Sequence, residues 1–231
     1  MDLSDFVTLQ RTTTPQQVAD GLQDMILKGA LLPGDRINES TLSRDLGISR
    51  NTMREAVRLL EATGLLRPHP RRGMQVWDPT DEEILDLFAA RFHLETLGAR
   101  QVAGDVDLTG VRKAFDEFAA VLEKHDPDLI VEKDLKVHQS VVALLDNAFL
   151  ASVFEQLLRQ IRFFAFLLSI EEREYEDHDK LRAEHEAIVK ALESRNAERA
   201  AEVVGDTVLL TRDEVREAIR KRRARESSAG R

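Results

Sequence analysis

Ser49-Arg50-Asn51-Thr52-Met53-Arg54-Glu55-Ala56-Val57-Arg58-Leu59-Leu60 decides how the first third of this 231-residue chain folds. Met53, Ala56, Val57 and Leu60 recur at helical spacing, so one side of the segment is apolar, while Arg50, Arg54 and Arg58 recur every fourth residue on another. Ser49 is a good N-cap, its hydroxyl oxygen able to accept from an early backbone N–H. Helix N-termini favour anions. Arginines in the first turns therefore make physical sense when phosphates or guanine edges lie opposite them.

The flanks sharpen this expectation. Upstream, Glu39 to Leu46 reads as a short helix capped by Asn38, with Gly47 at the turn and Ile48 closing the corner. Two helices joined by about three residues that include a glycine form a helix-turn-helix. Downstream, Gly64 stops the helix, and Leu65-Leu66-Arg67-Pro68 and Met74-Gln75-Val76-Trp77 are strand-like runs around the turn His69-Pro70-Arg71-Arg72-Gly73. That hairpin is a wing with two arginines at its tip. Taken alone, the arginine stripe reads equally well as a solvated helix face; the glycine turn before it and the basic hairpin after it favour a DNA reader.

These residues resemble the GntR family of bacterial transcriptional regulators. The resemblance rests on Pro33-Gly34-Asp35-Arg36-Ile37-Asn38-Glu39, Leu46-Gly47-Ile48-Ser49-Arg50, Met53-Arg54-Glu55-Ala56, Gly64-Leu65 and Arg72-Gly73-Met74-Gln75-Val76, in order, and covers about 15 to 78. Asn51-Thr52 departs from the Thr-Pro of many relatives. The resemblance implies that Arg50 and Arg54 contact operator DNA in the major groove, with Ser49, Asn51 and Thr52 beside them, and that Arg71, Arg72 and Gly73 of the wing reach the neighbouring minor groove.

Charge is divided along the chain. Residues 1–78 hold ten Lys/Arg and ten Asp/Glu, so the remainder carries the whole formal charge of −9. Between Arg50 and Arg72 six arginines face only Glu55 and Glu61, a local excess that a polyanion senses within a Debye length of roughly 8 Å. Cysteine is absent, which excludes disulfides, iron–sulfur clusters and thiol nucleophiles. The apolar run Phe163 to Leu168 is far shorter than the ~20 residues of a membrane span, and Asp2 and Asp5 stand where a signal peptide is basic, so a cytoplasmic protein without membrane attachment is expected.

The expected fold class is mainly α: an N-terminal winged helix-turn-helix with a small β-hairpin wing, and a C-terminal all-α antiparallel bundle. The expected divisions are a flexible arm over 1–13, a DNA-binding domain over 14–78, a helical effector-binding and dimerisation domain over 79–223, and a disordered tail over 224–231. Asp78-Pro79-Thr80 is the joint. Beyond it, apolar residues recur at helical spacing through about 81–103, 109–124, 128–145, 148–169, 174–194 and 197–222, with short breaks between.

Asp134-x-x-x-His138 places a carboxylate and an imidazole one above the other on a helix face, able to point at one centre. Spacing alone reads more readily as a surface ion pair, and nothing in it brings His185 of another helix near. Here too the chain resembles a known domain, the FCD effector domain of the FadR branch of GntR regulators. The matching segments are Arg91-Phe92-His93-Leu94-Glu95, Asp134-x-x-x-His138 followed by Asn147, and Glu184-His185-x-x-Ile188-x-x-Ala191-Leu192. In many such domains an Asp and three His hold a divalent metal, often zinc or nickel, to which a small carboxylate effector adds. Asp134, His138 and His185 match three of the ligand positions, and Thr207 occupies the fourth, where threonine is a poor ligand. Two outcomes stay open: a two-histidine, one-carboxylate site with free positions, or a site too weak to fill. Arg91 matches the Arg-x-x-Leu-Glu pattern and is the candidate partner of an effector carboxylate; the competing reading pairs it with Glu95 on the bundle surface. His69, His93 and His125 carry no partner pattern. Phe149, Phe154, Phe163, Phe164 and Phe166 read as core or subunit interface.

The reading as a whole is a homodimeric, ligand-responsive transcriptional regulator, a repressor of a pseudo-palindromic double-stranded DNA operator, with a small carboxylate effector. The alternatives are a constitutive DNA-binding protein with a vestigial pocket and a metal-dependent enzyme. No catalytic base or nucleophile motif supports the last.

Overall fold

The computed structural model describes residues 14–27, 29–70, 73–172 and 177–229. The expected arm over 1–13, the wing residues Arg71 and Arg72, and the side chain of Phe166 lie outside the described residues. Contacts divide the chain into two compact units that meet between Pro79 and Thr80.

The first unit contains α1 (Pro15–Leu27), α2 (Glu39–Asp45), α3 (Arg50–Ala62), β1 (Leu66–His69) and β2 (Gly73–Val76). Thr14 and Gln17 cap α1 reciprocally, Thr14 N–H donating to Gln17 Oε1 at 2.9 Å and Gln17 N–H to Thr14 Oγ1 at 3.2 Å, with Pro15 opening the helix. Helix α1 packs on α3, and Val18, Leu22 and Ile26 are buried along with Met53, Val57 and Leu60. Between α2 and α3 the chain turns at Gly47, whose φ of +64° is a left-handed conformation suited to glycine. Ile48 N–H then donates to Ser43 O at 2.9 Å, which closes the corner.

The wing is a two-stranded antiparallel hairpin in the register Leu66↔Val76 to His69↔Gly73, each strand offset by one residue from the sequence expectation. A further segment joins it that sequence reasoning missed. Asp35 O accepts from Val76 N–H at 2.9 Å, Ile37 N–H donates to Met74 O at 2.9 Å, and Arg36 bridges Gln75. So short a stretch has too few residues for alternation to stand out.

The second unit contains α4 (Asp81–Arg100), a 3-10 turn (Gln101–Ala103), α5 (Thr109–Leu122), α6 (Pro127–Ala143), α7 (Ala148–Glu172), α8 (His178–Glu193) and α9 (Ala197–Ala229), with no strand among its described residues. Thr80 and Glu83 form a full capping box on α4; Asp126 and Asp177 cap α6 and α8. Phe118, Val137, Val141, Phe154, Ile188 and Val204 belong to one buried cluster. Two glycines let helices approach closely: an added Cβ would lie 2.4 Å from Val141 O at Gly98 and 2.7 Å from Phe92 Cε2 at Gly205. One expectation is corrected. The segment 224–229 is helical, because from Arg220 onward α9 runs mostly through Lys, Arg, Glu and Ala, good helix formers, and this stretch meets no glycine or proline before Gly230.

Candidate functional site

Two sites emerge, one in each unit. In the first, Ser49 caps α3, its hydroxyl accepting from Thr52 N–H at 3.0 Å, and the first turn contains no acid. The exposed N–H groups and basic side chains make this end strongly attractive to phosphate. The three arginines are not equivalent. Arg58 is held by Glu55 at 2.8 Å and Arg54 lies 3.9 Å from Glu39, whereas Arg50 is exposed and has no ion pair among the described residues. A cleft of about 280 Å³ runs beside this end, lined in part by Arg36, Asn38, Glu39, Arg50, Arg54 and Gly73. Gly73 enters β2 with φ +75° and open space where a Cβ would stand. Arg36 is a cleft residue absent from the sequence-derived set. It is placed by the bridge to Gln75, and no residue pattern in so short a stretch signalled it. Asn51 is exposed and Thr52 half-buried, with its Oγ1 2.9 Å from Ser49 Oγ.

In the second unit, α6 and α8 bring Asp134, His138 and His185 together, with one ligand atom of each lying within 4.8 Å of the others. Both histidines are buried. His185 Nδ1–H donates to Leu181 O at 2.8 Å, the carbonyl one turn back, which directs Nε2 toward Asp134. His185 Nε2 and Asp134 Oδ1 are 2.9 Å apart, yet Nε2 has no aligned hydrogen-bond partner. In the tautomer set by Leu181, Nε2 carries a lone pair facing a carboxylate. Two acceptors so close repel unless a proton or a cation lies between them. His138 lines the same cavity and spends Nδ1 on Glu95 Oε2 at 2.7 Å, leaving Nε2 as its free ring nitrogen. The chemistry of this donor set fits a divalent ion such as zinc or nickel.

Burial and charge act against each other here. Burial alone would raise the Asp134 carboxyl, but the facing His185 outweighs it and brings Asp134 down to about 2. Burial alone would lower His185, but the Asp134 charge raises it instead. Burial would likewise raise Glu95, and Arg91 and His138 hold it below the usual carboxylate range.

Arg91 is 2% exposed and Glu95 0%, and Arg91 Nε donates to Glu95 Oε1 at 2.6 Å. The surface pairing expected between them is therefore corrected: the pair exists, but inside the bundle. An ion pair survives there because the two charges cancel and each keeps a hydrogen bond. Nε carries Arg91's one hydrogen bond among the described residues, so the Nη groups of Arg91 remain available to the cavity it lines. That cavity is small, about 30 Å³, and is bounded also by Phe88, Phe164, Glu184, Thr207 and Thr211. It has room for one or two water-sized groups. Thr207 does border the site, and its hydroxyl donates to Val203 O at 3.0 Å, so it supplies no strong ligand and leaves that side open. Sequence reasoning did not assign Glu95 to the site; its spacing from Arg91 was visible, but its burial and its partner 43 residues away were not. His125 stacks on His178 with ring centroids 4.6 Å apart, and His93 is exposed.

The described architecture has known counterparts. The FCD domain family matches residues 86–208, and the gntR family of bacterial regulatory proteins matches residues 14–76. The chain is 29% identical over 206 residues to the HTH-type transcriptional regulator YdhC of Bacillus subtilis, covering 87% of this chain and 91% of that one. It is 25% identical over 194 residues to the gluconate operon transcriptional repressor of Bacillus licheniformis, covering 81% and 79%. A solved GntR transcriptional regulator from Rhodococcus sp. RHA1 superposes with a TM-score of 0.73 at 24% identity, covering 88% of this chain and 98% of that one, a likeness of fold.

Proposed function

Because this chain belongs to the gntR family of bacterial transcriptional regulators and carries its FCD domain, we propose that it is an operator-binding repressor whose DNA affinity is tuned by a divalent metal and a small carboxylate in the helical unit. Regulation, and not catalysis, is the activity of these families and of the relatives. Repression is the activity named for the gluconate operon relative. The observation that carries the ligand reading is the buried Nε2 of His185, 2.9 Å from Asp134 Oδ1 yet without an aligned hydrogen bond.

Asp134, His138 and His185 would hold the ion, which when bound would supply an electrophilic docking point for a carboxylate. The buried charges support an anionic effector. Arg91 and Glu95 cancel, Glu184 of the same lining is offset by Lys180 at 3.8 Å, Asp134 leaves one negative charge, and a divalent ion would turn the centre positive by one. A monocarboxylate restores neutrality, with the Arg91 Nη groups donating to it. At about 30 Å³ the cavity would have to widen to take a carboxylate beside the ion, which confines the reading to the most compact organic acids.

Arg91 and Glu95 sit on α4, which residues 77–80 join directly to β2 of the wing. A ligand that prefers one placement of α4 therefore has a covalent route to the DNA-binding unit, and its effect on operator affinity equals its difference in affinity for the two arrangements. Arg50 and Arg54 read base edges or phosphates, with Ser49, Asn51, Thr52, Arg71, Arg72 and Gly73 completing the contact surface. A homodimer on a pseudo-palindromic operator is part of the proposal. Phe149, 76% exposed on α7, favours a partner surface on the second unit. Among the described residues no helix is long and apolar enough to cross a membrane.

The test is an anisotropy titration of duplexes selected from a random pool, with chelated and zinc-loaded protein, with and without small mono- and dicarboxylates. A tenfold or larger shift in affinity supports the regulated reading. Tight, specific binding that no metal or acid changes would establish the constitutive alternative, which the threonine at position 207 favours.

A further inference from the structure

We infer that Glu95 is a positioning residue for the metal centre: by accepting from His138 Nδ1–H it fixes the imidazole tautomer in which Nε2 carries the lone pair. The inference rests on the metal reading of Asp134, His138 and His185. It concerns a residue outside that ligand set.

The geometry is specific. Glu95 is fully buried, and each carboxylate oxygen has its own partner, Oε1 receiving Arg91 Nε at 2.6 Å and Oε2 lying 2.7 Å from His138 Nδ1. Both are the short distances of charge-assisted hydrogen bonds. A neutral imidazole has one N–H and one lone pair, so an acceptor at Nδ1 decides that Nε2 is the donor to a metal. The partner of His185 Nδ1 is a backbone carbonyl, which no side-chain substitution removes. The orientation of His138, by contrast, depends on a side chain from α4. A carboxylate behind a ligating imidazole also raises its basicity. Arg91 makes such a carboxylate tolerable in the interior and holds its plane. Gly98, one turn further along α4, permits the approach to α6 that brings Glu95 to His138.

The experiment compares wild type with Glu95→Gln and Glu95→Asp, each stripped of metal, in zinc titrations against a chromophoric chelator. Thermal unfolding of the stripped proteins and ¹⁵N imidazole NMR of stripped wild type accompany them. Zinc affinity should fall 10- to 100-fold in Glu95→Gln, and His138 of stripped wild type should be protonated at Nδ1 with Nε2 bare. A Glu95→Gln protein that folds and binds zinc within twofold of wild type overturns the inference, as does an Nε2–H tautomer of His138 in wild type. The NMR result decides the matter even where the variants fail to fold. Failure of wild type itself to bind zinc would overturn the underlying metal reading, an outcome distinct from equal binding by the two proteins.

Discussion

Gly98→Ala should separate α4 from α6 and loosen the centre they share. The added Cβ would stand 2.4 Å from Val141 O, 3.0 Å from Val141 C and 3.2 Å from Val142 Cα. All three are backbone atoms, so no side chain can swing away. Restoring an ordinary carbon–oxygen contact of about 3.3 Å requires the helices to part by about 1 Å. Glu95 and His138 each lie three residues before this contact, so their 2.7 Å hydrogen bond stretches beyond about 3.5 Å and fails. Overpacking costs about 1–3 kcal/mol and the buried charged hydrogen bond about 1.5–3, offset by about 1 kcal/mol from replacing glycine within a helix. The net expectation is a loss of about 1.5 to 5 kcal/mol, read by circular dichroism in a urea titration, with weaker zinc binding alongside. Gly110→Ala is the control, since nothing lies within 4 Å of its added Cβ; it should be neutral or slightly stabilising. A Gly98→Ala protein as stable as wild type, with unchanged zinc affinity, would refute this account of the α4–α6 contact.

Other outcomes follow from the same geometry. Arg50→Ala should weaken specific operator binding by about 1–3 kcal/mol, whereas Arg58→Ala, which removes an arginine already paired with Glu55, should change it by less than about 0.5 kcal/mol; equal effects in a gel-shift titration would contradict the distinction. Ser49→Ala removes the cap on α3 and should cost about 1 kcal/mol of stability in chemical denaturation. In metal-free protein, Asp134 titrates near 2 instead of 3.8, so its contribution of about 2 kcal/mol is present above pH 3.8 and lost as pH falls through 2. His185 is raised, so the same interaction is present below about 6.5 and lost as pH rises through the folded value. Asp134→Asn should flatten both limbs in stability measured against pH, and an unchanged difference between the proteins would exclude the pair as their source. Protons compete with metal for the His185 imidazole, whose folded value is raised, so zinc affinity should fall as pH drops through that raised value in a chelator-competition assay.

The sequence by itself determined the local architecture, because caps, helical period and glycine turns are properties of neighbouring residues. Ser49 before Met53, Ala56, Val57 and Leu60 specifies α3 and its buried face, and Gly47 specifies the corner before it. Asp126-Pro127 marks the start of α6 in the same way. Tertiary structure alone decided which helices meet. No spacing rule joins position 134 to 185 or 95 to 138, because contact between distant segments is set by the packing of whole apolar faces. It also decided that Arg91 and Glu95, charged and therefore surface residues by default, lie inside the bundle, since each supplies the counter-charge that makes burying the other tolerable.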